Sequence, residues 1–196
     1  MMRQRRDPQF DATPDEPLAV PMASRQAPDV LALVIAWSRT EPDRMGECAL
    51  LTPGRQNIIG RGGPRPEDDG RRADFGRARP GGFEVGPPLA APNLSRSHLR
   101  IEPRADGLWI QRRGKGSVLL DGAPCDEGPL TPGSTLVLAN ELVLLCERRP
   151  AEIPGPALSP ATTLLTGGTD ALGLTGESPA TWRLRDQLRF AAGSGS

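Results

Sequence analysis

An all-β sandwich is the fold class this chain predicts, and three observations predict it. Short apolar stretches recur between residues 29 and 149, parted by turn signals at roughly 8–12-residue spacing. No stretch in that interval keeps a helical 3.6-residue apolar period over about ten residues. Its length, about 120 residues, is enough to bury a core.

The elements follow in order. Residues 30–37 (VLALVIAW) are β-branched at several positions and bounded by Pro28 and Glu41-Pro42-Asp43, which predicts a buried strand. Residues 48–51 and 57–60 are two more strands, parted by the turn Thr52-Pro53-Gly54. Residues 98–104 alternate, with Leu99 and Ile101 on one face and Arg100 and Glu102 on the other. Ala105-Asp106-Gly107 turns the chain into residues 108–112, and residues 118–120 close at Asp121-Gly122. Residues 135–138 and 142–146 flank Ala139-Asn140-Glu141 as a last hairpin.

Four stretches stand apart. Residues 1–28 hold five prolines among charges and predict a disordered tail. Residues 62–92 are rich in Gly, Pro and Arg, with little apolar content before Phe83, and predict a long, solvated loop. Residues 150–172 read as a Pro/Gly/Thr linker. Ser178-Pro179 then opens a helix reaching about residue 192. Its apolar stripe is Ala180, Leu184, Leu188 and Ala191, shaped for a partner outside the sandwich.

Composition excludes several functions. Lys+Arg and Asp+Glu are 24 each, so the whole chain is no polyanion binder, and Glu67-Asp68-Asp69 sit inside the arginine-rich stretch. Direct nucleic-acid binding is therefore not expected. Cys48, Cys125 and Cys146 are scattered and His98 is the single histidine, so neither a zinc site nor a Ser-His-Asp triad is expected. The cysteines suit a reducing cytoplasm as small core hydrophobes. The longest apolar run has eight residues against the ~20 that span a membrane. The N-terminus carries no signal-peptide pattern. No cofactor and no enzymatic activity are expected.

Chemistry concentrates in three strand-end motifs: Gly60-Arg61, Ser95-Arg96-Ser97-His98, and Lys115-Gly116-Ser117 leading to Asp121-Gly122. Loops at one end of a sandwich can converge. Arginine forks, a serine hydroxyl and backbone N–H groups in Gly-rich turns make a cradle for a dianionic oxyanion. On these residues the region 29–149 resembles a forkhead-associated (FHA) domain, a β-sandwich that reads phosphothreonine peptides. The resemblance implies that Arg61 and Ser95 contact the phosphate or the peptide. It implies that Lys115, Gly116 and Ser117 line the binding loop, and that Gly60, His98 and Gly122 support it. Arg96 is open between the phosphate and a solvent-facing ion pair. The family's peptide-anchoring asparagine falls near Lys115 or Gly116, neither of which has an amide side chain. The stretch between Arg61 and Ser95 is also longer than the family's usual spacer.

Residues 173–180 (GLTGESPA) with Trp182-Arg183-Leu184-Arg185 resemble the opening of the AAA+ domain of sigma-54-dependent transcriptional activators. No GxxxxGK[ST] follows, so the chain reads as a sensory region severed ahead of the ATP-binding loop. Together the two resemblances imply a bacterial cytoplasmic module that binds a phosphothreonine protein, a Ser/Thr kinase or its substrate, and regulates sigma-54-dependent transcription. The partners implied are the AAA+ ATPase domain and the sigma-54 RNA polymerase. The other reading is a degenerate FHA scaffold for phosphate-independent protein–protein interaction.

Overall fold

A computed structural model describes residues 28–51, 54–66, 68–104, 107–155, 169–170 and 172–193. The strands in chain order are β1 (Asp29–Ser38), β2 (Cys48–Leu51), β3 (Asn57–Ile59), β4 (Arg71–Arg72), β5 (Gly76–Arg79), β6 (Gly82–Val85), β7 (Leu99–Arg104), β8 (Gly107–Arg112), β9 (Val118–Leu120), β10 (Ala123–Pro124), β11 (Glu127–Leu130), β12 (Thr135–Leu138) and β13 (Leu142–Pro150). One α-helix, α1 (Pro179–Gly193), follows. The tail expected over residues 1–28 lies outside the described residues except for Pro28, as does most of the linker expected over 150–172.

Two sheets make the sandwich. One has eight strands in the order β10-β9-β12-β13-β1-β2-β5-β6, and the other five in the order β11-β8-β7-β3-β4. Neighbours are antiparallel except β3 and β4. Leu33 and Ile35 of β1, Leu136 and Leu138 of β12 and Leu144 of β13 meet Ile59, Leu99, Ile101 and Ile110 of the five-stranded sheet in one core. Cys146 joins that core, Cys48 is buried on the outer side, and Cys125 is half-buried; all three are free thiols.

The non-alternating run of β1 has a physical cause. Leu33 and Ile35 face the core, while the opposite face carries Val34, which packs with Cys48 and Leu50 of β2, Ala78 of β5, Ile153 and Trp182. A strand covered on both faces needs apolar side chains on both.

Two expectations are corrected here. Residues 62–92 are not a solvated loop, because β4, β5 and β6 all lie within them. Phe75, Leu89 and Ala91 enter the main core, and Ala78 enters the second cluster. The helix is not detached from the sandwich either. Trp182 is 2% exposed beneath α1 against the outer face of the eight-stranded sheet. Glu177 pairs with Arg79 at 2.9 Å and Arg77 at 3.4 Å, both on β5. Arg185 donates to Asp170 at 2.5 Å and to the carbonyls of Gly176 and Leu174, and its guanidinium stacks 4.5 Å over Trp182. The Arg185 bond holds the Asp170 carboxyl below the usual carboxylate range. Ser178 caps α1, its Oγ accepting from the N–H of Thr181. The stripe Ala180, Leu184, Leu188 and Ala191 is turned outward instead.

Candidate functional site

The site is assembled by strand ends. β3 delivers Gly60-Arg61, the approach to β7 delivers residues 95–98, and the turn between β8 and β9 delivers residues 113–117. β3 and β7 are paired neighbours, with Ile59 opposite Leu99, so their ends emerge side by side. Arg61 N–H donates to the Ser95 carbonyl at 3.1 Å, and His98 N–H to the Ile59 carbonyl at 2.9 Å. A Cβ on Gly60 would stand 2.0 Å from the Arg96 carbonyl oxygen, so only glycine lets these two loops close.

His98 ties in the third loop. It is fully buried. Its Nδ1 accepts from Ser95 N–H at 3.1 Å, which fixes the proton on Nε2, 3.4 Å from the Ser117 carbonyl. Burial holds its pKa below the usual histidine value, so the imidazole is neutral near pH 7. The Ser117 carbonyl also accepts from Ala139 N–H in the β12–β13 hairpin, at 2.8 Å. Gly116 packs so closely that a Cβ would stand 2.5 Å from His98 Cε1. Ser95 Oγ accepts from Lys115 N–H at 3.2 Å and keeps its own proton to donate.

Arg61, Arg96, Lys115 and Ser117 are exposed on this frame, and Ser95 is half-buried. No acidic partner is paired with Arg61, Arg96 or Lys115 among the described residues. The backbone N–H groups of Gly116 and Ser117 likewise have no acceptor there. The result is three cations, a hydroxyl and two amide donors on one edge, all competent to hold an oxyanion. Among the described residues no group of three or more His, Cys, Asp or Glu could hold a metal ion. Among the described residues no helix is long and apolar enough to cross a membrane.

Seven of the nine residues singled out in the sequence thus come together around Ser95 and His98: Gly60, Arg61, Ser95, Arg96, His98, Lys115 and Gly116. Ser117 joins them through its carbonyl. Gly122 does not. It sits past the far end of β9 in an exposed turn, where Asp121 Oδ1 accepts from Thr135 N–H at 2.7 Å. At ~3.3 Å per residue, the four residues from Ser117 to Asp121 put the start of that turn about 13 Å from Ser117.

Sequence reasoning missed Arg72. Its Nη1 donates to the Arg96 carbonyl at 2.9 Å and its Nη2 pairs with Asp68 at 3.0 Å, both side chains being 7% exposed. The clamp therefore comes from the segment expected to float. The four-residue spacing of Asp68 and Arg72 was the one local signal for it. Asn93, which donates to the buried Glu141, was missed as well.

No family model matches the chain, and no curated protein matches it. Solved structures similar to it include FHA domains. The FhaA FHA domain, complexed with the intracellular domain of Rv3910, is 20% identical over 60% of this chain and 99% of its own, with a TM-score of 0.41. The FHA domain of an Arabidopsis thaliana hypothetical protein is 20% identical over 68% and 92%, at 0.43. The yeast Dun1 FHA domain, in complex with a doubly phosphorylated peptide derived from Rad53, is 10% identical over 89% and 100%, at 0.41.

Proposed function

We propose that this chain is a phosphothreonine-peptide-binding signalling module of the FHA type, and that it is not an enzyme. One observation carries the reading: three loops meet at Ser95, and the side chains they present, Arg61, Arg96 and Lys115, are exposed cations with no acidic partner among the described residues. A phosphothreonine brings about −1.5 to −2 charge and three acceptor oxygens. Arg61 and Arg96 offer planar forks, Lys115 a point charge, and Ser95 and the Gly116 and Ser117 amides neutral donors. Charge-assisted bonds of this kind contribute about 1.5–3 kcal/mol each. Two or three give micromolar affinity once ordering costs are subtracted.

In the finer reading, the module works in a bacterial cytoplasm downstream of a Ser/Thr kinase and regulates the AAA+ domain of a sigma-54-dependent activator. Support comes from the motif at residues 173–185 and from the outward stripe of α1. A second reading, phosphate-independent scaffolding, is favoured by Lys115-Gly116 standing where the family has its asparagine.

Fluorescence anisotropy with paired threonine and phosphothreonine peptides separates the two. Micromolar binding confined to the phosphorylated member supports the first. Equal binding of both members rules it out in favour of the scaffold.

A further inference from the structure

We infer that the cleft under the N-terminus of α1 is a separate ligand site, one that takes a small organic anion: a carboxylate or phosphate head on a body with apolar surface. The cleft holds about 360 Å³, above the ~300 Å³ at which small-molecule sites begin. One wall is the end of β13 with residues 150–154, and the other is the first turn of α1 with Arg183. It lies away from the phosphate edge. The hairpin that bonds to the Ser117 carbonyl leads into β13 at Leu142, and Arg149 stands seven residues further along that strand. At ~3.3 Å per residue the separation is about 23 Å.

Buried donors without acceptors point to the ligand. Arg149 lines the cleft and is 4% exposed, yet its guanidinium makes no hydrogen bond among the described residues. Its Nε has no partner, and its ion-pair contact from Nη1 to Glu147 is long, at 3.6 Å. Trp182, beneath the same helix, has a buried indole N–H with no acceptor among the described residues. Buried donors are nearly always paired, so two unpaired ones under a single helix make it the place for an added acceptor. α1 itself adds to this. Fifteen residues long, it carries no acid in its first turn. Its Ala180 N–H lines the cleft region without an acceptor among the described residues. Glu177, just ahead of it, is committed to Arg77 and Arg79 of β5. The positive end of the helix dipole therefore faces the cleft uncompensated.

Charge and size select the ligand. Arg148 and Arg183 also line the cleft, exposed and without acidic partners among the described residues. Asp29, Glu147 and Glu152 line it too, so three arginines face three carboxylates. A polyphosphate or a nucleic-acid strand would set several charges against those carboxylates, whereas a single head fits between Arg149 and the start of α1. Pro150, Ile153, Pro154 and Pro179 supply apolar surface for a ring or chain behind the head. Because sheet and helix each give one wall, a bound anion would hold α1 against the sandwich.

The test is an amide chemical-shift titration of the full chain with phenyl phosphate, with benzoate and, as the uncharged control, with benzamide. Wild type is run beside Arg61→Ala, Arg183→Ala and Arg149→Met. Phenyl phosphate or benzoate should give saturating shifts centred on Arg149, Ala180 and the Trp182 indole N–H, and Arg61→Ala should leave them unchanged. The tighter of the two identifies the head as phosphate or carboxylate. Arg183 is exposed, so Arg183→Ala keeps the fold even if Arg149→Met does not. It should weaken binding about tenfold or more. Shifts confined to the Ser95 and Gly116 loops and lost in Arg61→Ala overturn the site and leave the phosphothreonine reading standing. Equal shifts from benzamide, or undiminished affinity in Arg183→Ala, overturn it as well. Saturating shifts at the cleft in a protein that does not discriminate phosphorylated from plain peptides uphold the site and overturn that reading alone.

Discussion

Arginines occupy two regions of this molecule in opposite conditions. At the loop edge Arg61 and Arg96 are exposed without acidic partners among the described residues. In residues 71–79 each arginine is paired: Arg71 with Asp74, Arg72 with Asp68, Arg77 with Glu177, and Arg79 with Glu84 and Glu177. Arginine density in the sequence is higher in the second region, yet the uncommitted positive charge is in the first. What an arginine does is set by the acids the fold brings to it, and two of these four find Glu177, about a hundred residues away in sequence.

The sharpest way to break the contrast is to remove a paired arginine. Arg72→Ala strands Asp68, whose side chain is 7% exposed, and releases the Arg96 carbonyl. Breaking a buried pair costs about 3–5 kcal/mol, so chemical denaturation should show a loss of that order. Phosphopeptide affinity should fall with it, because the clamped carbonyl belongs to a loop proposed to hold the phosphate. An unchanged midpoint would show that the segment decorates the sandwich and does not support it.

Trp182→Ala probes the same segment from the other side. Truncating a buried tryptophan costs about 3–5 kcal/mol where the whole domain depends on it. Here the loss should sit near the lower end and be local, with hydrogen exchange accelerating along α1 while β7 stays protected.

Arg61→Ala reverses the pattern. Binding should drop by about 1.5–3 kcal/mol, roughly 10- to 150-fold, while stability moves by less than about 0.5 kcal/mol. A melting temperature that falls along with affinity would mean that Arg61 holds structure, and the contrast between the two regions would fail.

A smaller effect comes from pH. Folding lowers the pKa of His98, so the folded state prefers the neutral ring. Above the unfolded value, near 6.5, both states are neutral and the buried imidazole keeps its full contribution. Below 6.5 the unfolded chain takes up the proton first, and stability declines as pH falls towards the folded pKa. Protonating Nδ1 also removes the acceptor for Ser95 N–H, so affinity should weaken over the same interval. His98→Asn should flatten both profiles.

The sequence made the strands legible where apolar residues line up and illegible where they do not. β1, β2, β3, β7, β8, β9, β12 and β13 were read from their own residues, as was the cap of α1. β4, β5 and β6 carry Arg71-Arg72, Gly-Arg-Ala-Arg and Gly-Phe-Glu-Val, each too short and too poor in large apolar residues to read as a strand alone. They become strands through pairing, β4 with β3, β5 with β2 and β6 with β5, a tertiary cause that outweighs local preference. The loop motifs were legible because glycine, arginine and histidine stand at strand ends. The Arg72 clamp and the docking of α1 were not, because their partners are remote in sequence. One available signal was left unused: the unbroken apolar run of β1 already says that its outer face is covered.

That covered face frames the smallest effect. Trp182 packs on the sandwich and Arg185 against residues 170–176, at 2% exposure each, whereas Leu184 and Leu188 are 42% and 39% exposed. Leu184→Ser should therefore change stability by less than about 0.5 kcal/mol, against the much larger loss at Trp182 two residues away. Phosphopeptide affinity should not change at all, because α1 lies on the outer face of the eight-stranded sheet and touches none of the three loops. The measurement is a denaturation midpoint beside an anisotropy titration. A Leu184→Ser loss matching that of Trp182→Ala would mean that the outward stripe packs on the sandwich in solution. α1 would then have to sit rotated by about half a turn, and the stripe would no longer be available to a regulated partner.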